Sequence, residues 1–171
     1  AYAGKTHGNT TGTKLSSAVT SGTNLLSGAT IISESGYTKD DESSSKLIDG
    51  NLSTKWCATG YNRPHTLYID LGQEYEMNKF QMFWENESTN TYTLYNTSSK
   101  EGFGNTTEWE VLVSKDGKEW KSVDYQVNQN DAISSFNIGS QTARYIVFKI
   151  FNSDNGGVGT VRLYELQLYN R

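Results

Sequence analysis

Cysteine, proline and histidine are nearly missing from this chain: among 171 residues there are one Cys, one Pro and two His. A lone Cys57 cannot close an intrachain disulfide and normally behaves as a small hydrophobe, so cysteine gives no sign of the redox compartment. His7 and His65 are too few and too scattered for a catalytic zinc. Positive charge is also scarce, with 15 Lys and Arg against 19 Asp and Glu and a net charge of −4. That balance argues against a general affinity for nucleic acid or an anionic membrane, both of which need clustered basic residues. No run approaches the roughly 20 apolar residues of a membrane span, so membrane insertion is not expected. A basic start followed by an apolar stretch is missing too, and any export signal is expected upstream or already removed. No G-x-S-x-G, H-E-x-x-H or phosphate-binding loop occurs. Asp40, Asp41 and Glu42 form a charge run of the kind that stays solvated, unlike the two carboxylates a glycosidase holds about 5–10 Å apart. An independent enzyme is not expected.

What is abundant is Tyr, Trp, Thr, Ser, Asn and Gly, which favours β-structure with long polar loops. The length suits one domain, able to bury roughly 70% of its unfolded surface without staples. Residues 1–23 are Gly/Thr/Ser-rich without periodicity and read as a linker or tag-like segment with room for a short edge strand. From residue 24 the pattern changes, and residues 24–171 read as the folded domain. Thr66 to Leu71 alternates; Phe80, Met82 and Trp84 share one face; Trp109, Val111 and Val113 share another, before a Lys115-Asp116-Gly117-Lys118 hairpin turn into Trp120. Residues 133–138, 143–151 and 160–169 continue the series, and no helix longer than a turn or two is expected. Short strands with regular turn signals predict an antiparallel β-sandwich.

Three stretches break the rhythm: residues 85–107, residues 152–159 (NSDNGGVG) and residues 58–64. They carry Tyr61, Asn62, Arg63, Tyr92, Tyr95 and Phe103. Brought to one end of a sandwich, they would combine aromatic faces with polar forks, a mixture that suits a sugar.

Residues 46–58, KLIDGNLSTKWCA, place an Asp, an Asn and a Thr at offsets 0, 2 and 5 before a Trp. A tight turn explains Asp49-Gly50-Asn51, because Gly accepts positive φ and Asx side chains bond their own backbone. A Ca²⁺ loop explains it too, since that ion takes 6–8 oxygen ligands at roughly 2.3–2.6 Å. Spacing alone leaves both open.

Lys46…Asp49-Gly50-Asn51…Thr54-Lys55-Trp56, Leu67-Tyr68-Ile69-Asp70-Leu71-Gly72, Phe83-Trp84-Glu85, Ser114-Lys115-Asp116-Gly117-Lys118-Glu119-Trp120, Ala143-Arg144-Tyr145-Ile146 and Leu163-Tyr164-Glu165-Leu166-Gln167-Leu168-Tyr169 occur in that order. The series resembles the coagulation factor V/VIII type C, or discoidin, domain, and within it a bacterial family 32 carbohydrate-binding module. The resemblance covers about residues 24–171 and implies a jelly-roll sandwich of the galactose-binding-domain type, with binding loops at one end. It implies a structural Ca²⁺ held by Lys46, Asp49, Asn51, Thr54, Tyr164 and Glu165. It also implies a non-catalytic role: a monomeric module, covalently linked to a glycan-active enzyme that is extracellular or on the cell surface. Candidate sugar contacts are Tyr61, Arg63, Trp84, Glu85, Phe103 and Asn105, for termini of the galactoside, GlcNAc, GalNAc or mannose type.

Two details shape that expectation. Galactose-binding members have Trp-His-Thr where this chain has Trp56-Cys57-Ala58, and a thiol lacks the donors and acceptors of imidazole, which argues against plain galactose. An Asn51-Leu52-Ser53 sequon would put a glycan on the Ca²⁺ loop in a eukaryotic secretory pathway, which favours a bacterial source. Trp84 lies on the Phe80/Met82 face and reads equally as core or as platform. Trp109 and Trp120 read as core, and Arg144 reads as structural. Protein adhesion, or a structural discoidin domain without a sugar ligand, is the alternative, since protein interfaces also use Tyr and Trp.

Overall fold

A computed structural model describes residues 8–34, 40–58, 64–84, 107–129, 131, 133–152 and 161–171. Eight strands run in chain order: β1 (Thr13–Lys14), β2 (Thr30–Glu34), β3 (Trp56–Cys57), β4 (His65–Trp84), β5 (Thr107–Ser114), β6 (Lys121–Gln129), β7 (Ile133–Asn152) and β8 (Arg162–Tyr169). Two short 3-10 turns, Asp40–Glu42 and Ser44–Ile48, are the helical structure among the described residues. All pairings are antiparallel.

β4 and β7 are each 20 residues long, where the alternation predicts two shorter strands apiece. They pair with one another along their whole length, from His65↔Ile150 to Phe83↔Ile133. Each contains a glycine at positive φ, Gly72 (+91°) and Gly139 (+72°). In both cases a side chain two residues earlier, Asp70 or Asn137, accepts the glycine N–H at 2.8 Å. A non-glycine residue would be strained there, and the ladder shifts register between Asp70 and Tyr75 and again between Met77 and Lys79. The two strands thereby run through both layers of an antiparallel β-sandwich. One layer takes β2, the first half of β4, the second half of β7, β5 and β6. The other takes β1, the first half of β7, the second half of β4, β8 and β3.

The core lies between the layers. Trp109 of the first layer meets Phe80 at 6.3 Å, Phe136 at 5.4 Å and Trp84 at 6.1 Å from the second. Phe80 also meets Phe148 edge-on at 5.8 Å. Rings of this kind bury about 150–250 Å² each, so this cluster dominates the packing. Arg144 is structural as expected: it forks onto Asp70 at 2.9 and 3.0 Å and lies over the Tyr145 ring.

Residues 8–22, expected as linker-like, are docked on the sandwich. Gly8 N–H donates to Glu110 and Gly12 N–H to Asp124, both at 2.7 Å. Tyr125 N–H donates to the Thr10 carbonyl, β1 pairs with Asn137 and Phe136, and Val19 exchanges hydrogen bonds with Gln81. The segment lacks apolar periodicity because carboxylates and main-chain groups hold it. Hydropathy patterns do not register such bonds.

Candidate functional site

The strand register brings to one end of the sandwich the strand ends that flank the three irregular stretches. His65 faces Ile150, Glu108 faces Asn152 and Trp84 faces Leu163. The strand ends flanking residues 59–63, 85–106 and 153–160 therefore sit together. Tyr61, Arg63, Glu85, Phe103 and Asn105 lie outside the described residues.

Trp84 is described, and it is core. Its ring is fully buried, stacks on Trp109 and donates its indole N–H to Ser134 Oγ at 2.9 Å. The face shared with Phe80 and Met82 points between the layers, so Trp84 offers no platform to a ligand and drops out of the sugar-contact set. Cys57 and Ala58 are buried as well, and the Ala58 N–H pairs with Val161 O at 2.9 Å. Their side chains are thus withdrawn from the surface where an imidazole would have to reach a ligand.

Of the candidate Ca²⁺ residues, Asp49, Asn51 and Thr54 share one turn, and Glu165 packs against it. The Ser44–Ile48 turn ends on Asp49, and Gly50 follows at φ +72°. Asp49 accepts the Asn51 N–H at 3.0 Å and the Thr54 hydroxyl at 2.5 Å. Thr54 Oγ1 also lies 3.1 Å from the Asn51 carbonyl. Glu165 reaches this loop from β8, where it and the adjacent Tyr164 are buried. Glu165 accepts the Gly50 N–H and a hydrogen bond from Gln167, yet burial pushes its carboxyl up to about 7, with the Asp49 charge adding to the rise.

Four carboxylates are buried among the described residues. Glu108 accepts the Tyr125 hydroxyl, Glu110 accepts Ser122 Oγ and the Gly8 N–H, and Asp124 accepts Trp109, Gln126 and Gly12. Glu165 alone of the four leaves a buried oxygen, Oε1, without a partner. A buried acceptor in that position, beside a second carboxylate, suits a bound cation. No group of three or more His, Cys, Asp or Glu side chains gathers among the described residues. The expected donor set has only two carboxylates and is otherwise made of carbonyls and a hydroxyl, a hard-oxygen set that fits Ca²⁺.

Residues 29–164 match the F5/8 type C domain. The chain belongs to that family. Its fold is also that of solved carbohydrate-binding modules. Chitosan-binding module 1 from a chitosanase/glucanase of Paenibacillus sp. IK-5 superposes with a TM-score of 0.67 at 18% identity, covering 86% of this chain and 99% of that one. The family 32 carbohydrate-binding module of Streptococcus pneumoniae EndoD gives 0.67 at 18%, covering 87% and 100%. A Clostridium perfringens module, CpGH89CBM32-5, solved in complex with GalNAc-β-1,3-galactose, gives 0.64 at 22%, covering 86% and 100%. No curated protein matches the sequence.

The F5/8 type C motifs did not locate two parts of this domain. The docked N-terminal segment precedes the matched region. Trp120, read as core, is half-buried on the outer face of its layer, edge-on to Tyr68 at 5.3 Å. The available signal for the first was acidic residues at alternate positions of β5, Glu108 and Glu110, in a strand with no polar face to spare.

Proposed function

We propose that this domain is a non-catalytic carbohydrate-binding module with a structural Ca²⁺. It targets a covalently linked, glycan-active bacterial enzyme, outside the cell or on its surface, to glycans ending in a hexose or N-acetylhexosamine. The observation that carries this reading is the convergence, at one end of a rigid F5/8 type C sandwich, of the strand ends flanking three polar stretches, two of which bear aromatic residues. Loops on a rigid scaffold are where recognition is normally placed. The modules of like fold that bind chitosan, or were solved with GalNAc-β-1,3-galactose, support a sugar as the ligand class. Tyr61, Arg63, Glu85, Phe103 and Asn105 supply the chemistry: rings for the apolar face of a pyranose, and Arg, Glu and Asn for its paired hydroxyls.

A non-catalytic role is supported by the engagement of Glu108, Glu110 and Asp124 in fixed structural hydrogen bonds. Ca²⁺ would be held by Asp49, Thr54 and Glu165 side chains with oxygens of Lys46, Asn51 and Tyr164. Its role is to tie the Asp49 loop to β8, so that binding energy becomes folding energy. A shallow loop site implies single-site dissociation constants of about 10 µM to 1 mM, raised in avidity by other modules of the parent protein.

The test is a glycan array of the Ca²⁺-loaded domain, with hits repeated by calorimetry against the free sugar. Hits sharing one terminal residue are expected. A blank array with folded, Ca²⁺-bound protein would overturn the sugar reading and leave adhesion to protein or a structural role.

A further inference from the structure

At the end of the sandwich away from His65, Trp84 and Glu108, the hairpin between β5 and β6 folds back over the outer face of its layer. Gly117, at φ +78°, sits so close that a Cβ there would lie 3.1 Å from the Tyr68 hydroxyl and 3.5 Å from the Tyr145 ring. The turn is fixed internally: Gly117 N–H donates to Ser114 Oγ at 2.8 Å, and Asp116 Oδ1 accepts the N–H groups of Lys118 and Glu119 at 2.8 and 3.0 Å. Between this hairpin and residues 140–142 lies a cleft of about 600 Å³, within the range of about 300–1,000 Å³ usual for ligand sites.

Trp120 lines the cleft while Tyr68 holds its ring at 88°, so the indole is both positioned and half-exposed. Lys121 Nζ donates to Gln141 Oε1 at 3.2 Å from one wall to the other, and Gln141 Nε2 is anchored on Ile138 O at 2.8 Å. Asp116 and Glu119 complete the polar lining. The walls carry both charge signs, which gives no net pull on a polyanion or polycation. An aromatic ring set among oriented carboxylate, amide and ammonium groups matches a ligand with an apolar face edged by hydroxyls.

We propose that this cleft, built from Trp120, Lys121, Gln141 and Thr142 with Asp116 and Glu119, is a second binding site for a neutral saccharide, independent of the loop-end site. This rests on the reading of the domain as a glycan binder. The two sites would be separated by about the length of β5, roughly 25 Å, so one domain could engage two glycan chains.

The experiment is a ¹⁵N NMR titration of the whole chain with galactose, mannose and a β-1,4-linked N-acetylglucosamine trisaccharide, repeated on Thr142→Arg. Thr142 is exposed on the cleft wall and outside the Trp120–Tyr68 contact, so the variant blocks the cleft without touching that packing. Two separately saturating sets of shifts are expected, one in residues 59–63, 85–106 and 153–160, the other in residues 114–121 and 139–142 with the Trp120 indole. Thr142→Arg should weaken the second set about tenfold or more and leave the first. Shifts confined to the first set, or a second set untouched by Thr142→Arg, would overturn the cleft proposal while keeping the loop-end site. An absence of shifts at both ends would overturn both readings.

Discussion

Replacing Trp84 separates a core ring from a sugar platform. Its ring is fully buried against Trp109, and its indole N–H satisfies Ser134 Oγ, itself 1% exposed. Truncation to Ala removes the stack and leaves a cavity, a change that costs about 3–5 kcal/mol at buried Trp or Phe sites. In a domain of this size each kcal/mol moves the melting temperature by about 2–4 °C, so Trp84→Ala should lower it by about 6–20 °C. Trp84→Phe keeps an aromatic face but removes the donor, stranding a buried hydroxyl at about 1–3 kcal/mol. The assay is differential scanning calorimetry of both variants, paired with glycan binding measured well below the lowered melting temperature. Binding should survive there in both. A variant that melts with the wild type yet fails to bind would refute the core assignment, and with it the view that Phe80, Met82 and Trp84 in the second half of β4 point between the layers.

Further expectations concern the metal loop, the Arg144 fork and the N-terminal segment. Added Ca²⁺ at about 100 times its dissociation constant should stabilise the wild type by about 2.7 kcal/mol. Chelator should reverse this, and Asp49→Ala should lose the response; equal melting temperatures with and without chelator would remove the metal from the account. The Arg144 hydrogen bond holds the Asp70 carboxyl below the usual aspartate value of 3.8. A depressed carboxyl contributes stability above its unfolded value and loses it as pH falls through the folded one. The melting difference between wild type and Arg144→Ala should therefore be present at neutral pH and close in acid below about 3.8, as a pH series of melts would record. Removing residues 1–12 strips donors from Glu110 and Asp124, each loss costing about 1–3 kcal/mol where the acceptor stays buried. A truncated chain melting with the full one would show that this segment is a linker after all.

Strand content was legible in the sequence because alternation at Leu67/Ile69 and Trp109/Val111/Val113 follows directly from the pleat, and all five side chains are buried. The Asp49-Gly50-Asn51 turn was readable from Gly and Asx chemistry, and Gly50 takes the positive φ that the turn requires. Trp84 was ambiguous because a period-2 pattern gives the face of a strand but not what lies over it. Only the opposing layer, with Trp109 and Ser134, made it core.

The sequence by itself determined the β class and the ordered family motifs, since these follow from local periodicity and from residue types at fixed spacing. The tertiary structure decided the rest. Bends at Gly72 and Gly139 carry two strands through both layers, carboxylates on β5 and β6 capture a segment with no hydrophobic signal, and a folded-back hairpin leaves Trp120 lining a cleft. Each of these depends on contacts between residues far apart in the chain, and a one-dimensional pattern carries no record of which distant groups will meet.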